Sequence, residues 1–341
     1  MRYFFLATMS AAASLVAAQA TAQSLTPSDV GAVTNRLSAA LAQYPFPDKA
    51  AALRGMLADN AARYARLSQV DDLAKALTRD LLAASGDKHF SVHSINAGAP
   101  VPQPMGQVDS GIADGFVDAR RLPGNIGYLK LRLFGRELRL LTQIDASLTL
   151  LGETDALIID LRSNRGGSGE SLQKLLGYVL GRAAPIQTLT WRQPDGSSRT
   201  IEERAAEPPT GTAYQQPVYV LTAARTASAA EAFAYALKGY RRAVLVGETT
   251  LGAANPSSGL TPLGLGLEAF VPNGLVESAI THTNWEGVGV EPDVTTPAAD
   301  ALVEAYRLAL KALPERGGAL ARQRTTALEN PRQTLEREFS L

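Results

Sequence analysis

The chain contains no cysteine, three histidines and two tryptophans, and its 33 basic residues are matched by 33 acidic ones. Without cysteine there is no disulfide, thiol nucleophile, thiolate metal site or lipid-modified N-terminal cysteine. Stability must then come from burial of apolar side chains, for which the chain is long enough to form one large or two modest domains. No basic stripe with interleaved aromatics occurs, so the electrostatic footprint of nucleic-acid or anionic-membrane binding is missing. No run after the N-terminus approaches the ~20 apolar residues that a spanning helix needs, which predicts no stable membrane insertion. A mechanism that needs a histidine base has three candidates, His89, His93 and His282.

What is present starts with MRYFFLATMSAAASLVAAQATAQS. Arg2 makes a short positive region, an apolar stretch follows, and Ala20-Thr21-Ala22 has the pattern of a cleavage site. Residues 1–22 are therefore predicted to be a secretory signal peptide, with Gln23 as the mature start and export to the periplasm or the medium. Loss of Arg2 leaves 32 basic against 33 acidic residues, a net charge of −1.

Residues 23–95 carry three one-faced helical patterns, which predict a small bundle. The first has Thr26 as cap, Pro27 in the first turn and Val30, Val33, Leu37 and Leu41 along one face. The second aligns Leu53, Met56, Leu57, Tyr64 and Leu67, and the third Val70, Leu73, Leu77 and Leu81. The Pro/Gly-rich stretch 96–111 reads as a boundary, and residues 96–314 read as a second, α/β domain. It opens with a hairpin turning at Pro123-Gly124, then alternates apolar strands such as ALIIDL, VYVLT and AVLVG with amphipathic helices. LGLEAFVP and ESAITHT look like a closing hairpin, a helix is expected over about 298–313, and 315–341 reads as a charged C-terminal tail.

Ser228 lies where VYVL gives way to the helical pattern ARTASAAEAFAYAL. Ser228-Ala229-Ala230-Glu231 fits a capping box, and a serine at a strand-to-helix turn also exposes its hydroxyl beside helix N–H groups. Both readings stand on these residues alone. In ALIIDLRSNRGGSG, paired Gly166 and Gly167 can turn N–H groups outward as an anion nest, while Asp160 and Arg162 read as a structural pair. In NWEGVGVEPDV, Glu286 sits between an aromatic residue and a glycine, whereas Glu291 and Asp293 flank a proline and read as a turn brace.

Taken in order, DKHFSV, LPGNIGYLKLRLF, ALIIDLRSNRGGSG, VYVLTAARTASAAEAF, RRAVLVGETTLGAANP and NWEGVGVEPDV resemble the serine peptidases that include C-terminal processing (tail-specific) proteases. The tricorn core and the repeats of interphotoreceptor retinoid-binding protein belong to the same group. The resemblance implies a crotonase/Clp-like ββα spiral core, here with an N-terminal three-helix bundle and no PDZ domain. It places Ser228 as nucleophile. Gly252-Ala253-Ala254 stands where one branch carries a lysine base, so the tricorn and retinoid-binding branch is the nearer one. That branch implies His89 as base and Glu286 as its orienting carboxylate, with oxyanion donors from Ala229 and from Gly166 or Gly167. His93 and His282 remain open as alternative bases. The activity implied is serine-type hydrolysis of a peptide or an unstructured protein, without metal or organic cofactor. Two alternatives are a non-catalytic binder of hydrophobic ligands or peptides, and an esterase on the same elbow.

Overall fold

Thr26 opens the first helix by a reciprocal cap: Asp29 N–H donates to Thr26 Oγ1 at 3.2 Å, and Thr26 N–H donates to the Asp29 carboxylate at 2.9 Å. This computed structural model describes residues 24–95, 115–136, 138–208, 213–314 and 317–339. Residues 1–22, predicted to be a signal peptide, and the 96–111 connection lie outside those residues. The first helix, α1 (Pro27–Ala40), is followed by α2 (Pro47–Asp59), the short α3 (Ala61–Tyr64) and α4 (Val70–Ser85). The expected stripes meet: Val33, Leu37, Leu53, Tyr64, Leu73, Leu77 and Leu81 form one buried cluster. The second stripe is broken at Asn60, whose Nδ2 donates to Met56 O at 2.9 Å and so competes with the helix ladder.

The rest of the chain runs β1 (Ser91–Ser94), β2 (Phe116–Leu122), β3 (Ile126–Leu131), α5 (Leu138–Leu151), β4 (Ala156–Asp160) and α6 (Gly169–Leu180). Then come β5 (Pro185–Arg192), β6 (Ser198–Arg204), β7 (Val218–Thr222), α7 (Ala229–Gly239), β8 (Ala243–Gly247), β9 (Leu260–Gly264) and β10 (Leu267–Phe270). The last elements are β11 (Gly274–Ser278), β12 (Val294–Thr295), α8 (Ala301–Ala312), α9 (Gly318–Glu329) and α10 (Pro331–Phe339). The main sheet has the order β12-β8-β7-β4-β3-β2, parallel except for the β2–β3 hairpin. Because side chains alternate along a strand, β4 sends Leu157 and Ile159 into one core and Ala156 and Ile158 into another. Helices α5, α6 and α7 cover the first face, and α8, α9 and α10 the second. This two-sided burial explains why the strands read as continuous apolar runs. The architecture is the mixed α/β class expected, with an N-terminal helical region.

Three details differ from the sequence reading. LGLEAFVP and ESAITHT do not pair: β10 joins β9 and β1, while β11 joins β5. Residues 271–273 carry the chain from one sheet to the other, and neighbouring strand patterns cannot reveal that choice. The β9–β10 hairpin also packs Leu263, Leu267 and Ala269 into the helical cluster, so that unit draws on chain far beyond residue 95. Finally, the charged stretch after 315, read only as a tail, contains two docked helices. Arg324 bonds Asp155 at 2.5 Å, and Ala327 and Leu335 are buried against the sheet. The sparse apolar residues in an otherwise charged segment concealed this. Among the described residues no helix is long and apolar enough to cross a membrane.

Candidate active site

Ser228 has φ 56° and ψ −124°, a conformation that non-glycine residues rarely adopt. It costs of order 1–3 kcal/mol and persists only where the surroundings fix it. Here they do. Ala227 N–H donates to Asn164 O at 3.2 Å, Thr226 Oγ1 to Leu161 O at 2.9 Å, and Arg225 Nε to Arg162 O at 3.0 Å. On the other side, Ser228 N–H donates to Glu231 Oε2 at 2.8 Å, the half of the capping box contributed by Glu231. The turn therefore presents a partly exposed serine at the N-terminus of α7 in a strained strand-to-helix elbow, a geometry that some serine hydrolases use to expose their nucleophile.

The glycine pair after β4 lies against this elbow. A β-carbon on Gly166 would sit 2.6 Å from Ser228 Cβ and 3.0 Å from Ala229 N. Gly166 and Gly167 both have positive φ, 98° and 130°, so the backbone turns as a side chain would forbid. The two glycines are not equivalent donors. Gly166 N–H is committed to Asn164 Oδ1 at 2.9 Å, whereas Gly167 N–H and Ala229 N–H have no hydrogen-bond partner among the described residues. Of the two expected alternatives, Gly167 is the free amide and Gly166 is the spacer that lets it approach. Asp160 and Arg162 form the structural pair expected of them: Arg162 Nη2 reaches Asp160 at 2.7 Å, Tyr128 donates to the same carboxylate at 2.7 Å, and Arg162 also holds Ala298 O.

The loop after β8 ties the elbow to the second half of the site. Glu231, fully buried, accepts from Gly252 N–H at 2.7 Å, from Ala253 N–H at 2.9 Å and from Thr250 Oγ1. Glu286 accepts from the next two amides, Ala254 at 2.7 Å and Asn255 at 3.0 Å, both on Oε2. Trp285 Nε1 holds the same loop through Ala253 O at 3.0 Å. Four consecutive N–H groups are thus divided between two carboxylates. Gly252 has φ 84°, and a β-carbon there would lie 2.9 Å from Gly289 N, so this tight turn depends on glycine.

His89 and Glu286 are brought together, with Asp87 as a third member: one ligating atom of each lies within 4.8 Å of the others. His89 Nδ1 is 3.9 Å from Asp87 Oδ1, and its ring stacks on Phe270 at 5.5 Å. Asp87 Oδ1 accepts His89 backbone N–H at 3.0 Å, and Oδ2 accepts Asn255 Nδ2 at 3.0 Å and Tyr44 Oη at 3.2 Å. Neither ring nitrogen of His89 has a hydrogen-bond partner, nor does Glu286 Oε1, so no bond joins His89 to Ser228 in this structure. Burial alone lowers the His89 pKa to about 3 and keeps the imidazole neutral at pH 7. Burial, reinforced by the Asp87 charge, pushes Glu286 up to about 7, and burial also raises Asp87.

The other candidates lie elsewhere. His93 is buried on β1 with Nε2 3.9 Å from Glu268, and His282 is exposed beside Glu277 at 3.4 Å. Asp293 holds Leu245 N–H at 2.8 Å and Glu291 lends its carbonyl to Lys238, which makes both braces of β8 and α7. Sequence reasoning had not singled out Asp87, Thr250 or Asn255. Asp87 carried a signal, its D-x-H spacing to His89, but its partners Tyr44 and Asn255 come from distant segments.

A model described as peptidase family S41 matches residues 125–296, and one described as the N-terminal domain of Peptidase S41 in eukaryotic IRBP matches 15–113. The chain is 31% identical over 183 residues to the chloroplastic carboxyl-terminal-processing peptidase 2 of Arabidopsis thaliana, covering 52% of this chain and 34% of that protein. The match thus spans about a third of the relative's length. Among solved structures, a lipoprotein from Streptococcus agalactiae shares the fold with a TM-score of 0.56 at 17% identity, over 85% of this chain and 98% of that one. A candidate peptidase from Parabacteroides merdae does so with a TM-score of 0.54 at 19% identity, over 82% and 95%.

Proposed function

We propose that this chain, which belongs to peptidase family S41, is an exported serine endopeptidase that cleaves peptides or unstructured proteins through an acyl-enzyme. The observation that carries this reading is the Ser228 elbow, a strained serine at a helix N-terminus with the uncommitted Ala229 amide beside it and the Gly166-Gly167 backbone packed against it. Ser228 Oγ attacks the scissile carbonyl carbon, and His89 takes the hydroxyl proton. The N–H groups of Ala229 and Gly167 receive the oxyanion, a contribution worth ~10² to 10³ in rate. Collapse breaks the C–N bond, and the proton on His89 leaves with the amine. Water then hydrolyses the ester with His89 as base again, while Glu286 holds the imidazole and balances its transient charge. The His89 ring must approach Ser228 for this, and hydrogen bonds at catalytic sites commonly tighten only once substrate is bound. Export rests on residues 1–22 alone.

The peptide reading is tested by turnover of an unstructured fluorogenic peptide, purified Ser228→Ala against the parent. A fall to the uncatalysed level is expected, and undiminished cleavage overturns the assignment. The lack of any bond to His89 favours a second reading, a non-catalytic binder on the same fold. Such a binder would retain peptide and release no product.

A further inference from the structure

We propose that Asp87, His89 and Glu286 form a binding site for one divalent transition cation of the zinc type. Atoms from the three side chains come within 4.8 Å of one another, although Glu286 is far from the other two in sequence. His89 is 3% exposed and both of its nitrogens lack a partner, and the buried Glu286 Oε1 lacks one too. Buried polar side chains are almost always satisfied, so an unpartnered imidazole and an unpartnered carboxylate oxygen in one cluster call for a ligand, with one ring nitrogen of His89 available to it.

The donor set identifies it. One imidazole and two carboxylates are zinc ligands, and three protein ligands leave a fourth position open. A dication beside two ionised carboxylates gives a neutral cluster. Each carboxylate has one oxygen held by two donors, and Asp87 Oδ1 keeps further acceptor capacity beside the single His89 backbone N–H it accepts. Asp87 Oδ2 is held by Tyr44 and Asn255, and Glu286 Oε2 by the amides of Ala254 and Asn255. Such backing fixes ligand orientation at metal sites. Donors each ~2.1 Å from a tetrahedral zinc stand ~3.4 Å apart. The 3.9 Å between His89 Nδ1 and Asp87 Oδ1 is therefore close to that spacing.

Binding stands on this geometry alone. Its consequence, inhibition by occupying the imidazole, rests on the peptidase reading.

The test is titration of chelator-treated, full-length Ser228→Ala protein with Zn²⁺ by calorimetry, and with Co²⁺ by visible absorption. One equivalent should bind, with a d–d band of a four- or five-coordinate N/O site. Affinity should fall at least tenfold in both His89→Ala and Glu286→Gln, and stay unchanged in His282→Ala. Melting curves establish that each variant is folded, and the partly exposed Glu286→Gln serves if His89→Ala is not. No saturable binding, or binding indifferent to both folded variants, overturns the site. In the parent protein, Zn²⁺ should abolish peptide turnover and a chelator should restore it. Binding without inhibition keeps the cation site and counts against His89 as base; full turnover without binding counts against the cation site alone.

Discussion

Gly166 and Ser228 are packed so closely that a single methyl on the glycine would overlap the serine β-carbon, at 2.6 Å. Gly167, whose N–H is uncommitted, directly follows this contact in the chain. Gly166→Ala is expected to lower kcat/KM at least ~10²-fold, the scale of losing one oxyanion donor. Steady-state turnover checks this, with a melting curve to separate it from unfolding. Unchanged kcat/KM would show that the cradle plays no part.

Glu231 fastens the elbow to the 250–255 loop through four acceptor contacts. Glu231→Gln puts an NH2 group against N–H donors, leaving buried groups unpaired at about 1–3 kcal/mol each. A clear fall in Tm is expected together with loss of activity. Because Glu231 touches no substrate, a variant that melts normally and is fully active would contradict its positioning role.

Glu286→Gln preserves volume and still offers one oxygen to Ala254 and Asn255, but removes the charge facing His89. Stability should change little while kcat falls by ~10² to 10⁴, as when a triad carboxylate is neutralised. Equal loss in kcat and Tm would instead mark Glu286 as a loop anchor only.

Asp160, buried and held by Arg162 and Tyr128, has its pKa below the ordinary carboxylate value, because those hydrogen bonds and the Arg162 charge outweigh the burial that opposes them. The unfolded chain titrates near 3.9. Its stabilisation is thus complete above about pH 4 and disappears as pH falls through the lower folded value. Asp160→Asn should cost about 1.5–3 kcal/mol at pH 7, the scale of hydrogen bonds to a charged group, since it removes the buried partner of the half-buried Arg162. It should also flatten the acid end of the stability curve, and urea unfolding at pH 7 and pH 3 checks both.

Much of this was legible because it depends on local chemistry. The one-faced stripes of α1, α2 and α4, the apolar runs of β4 and β7, and the S-x-x-E start of α7 each follow from a short stretch. Ser228, Gly166 and Gly167 could be named for the same reason. What was hidden depends on partners remote in the chain. Asp87 acquires its role from Tyr44 and Asn255, and Gly166 loses its N–H to Asn164 through a turn that composition does not specify. The C-terminal helices were missed because Arg324 is polar in sequence yet buried against Asp155. Arg324→Ala should therefore destabilise the fold by roughly 3 kcal/mol, the scale for breaking a buried pair, which thermal or urea unfolding would register.

The most direct measurement is intact-mass and peptide-level mapping after exposure to a serine-reactive phosphonate. One adduct on Ser228 is expected, absent from Ser228→Ala and strongly slowed in His89→Ala. An unlabelled parent protein, or an adduct on another serine, would contradict Ser228 as the nucleophile served by His89.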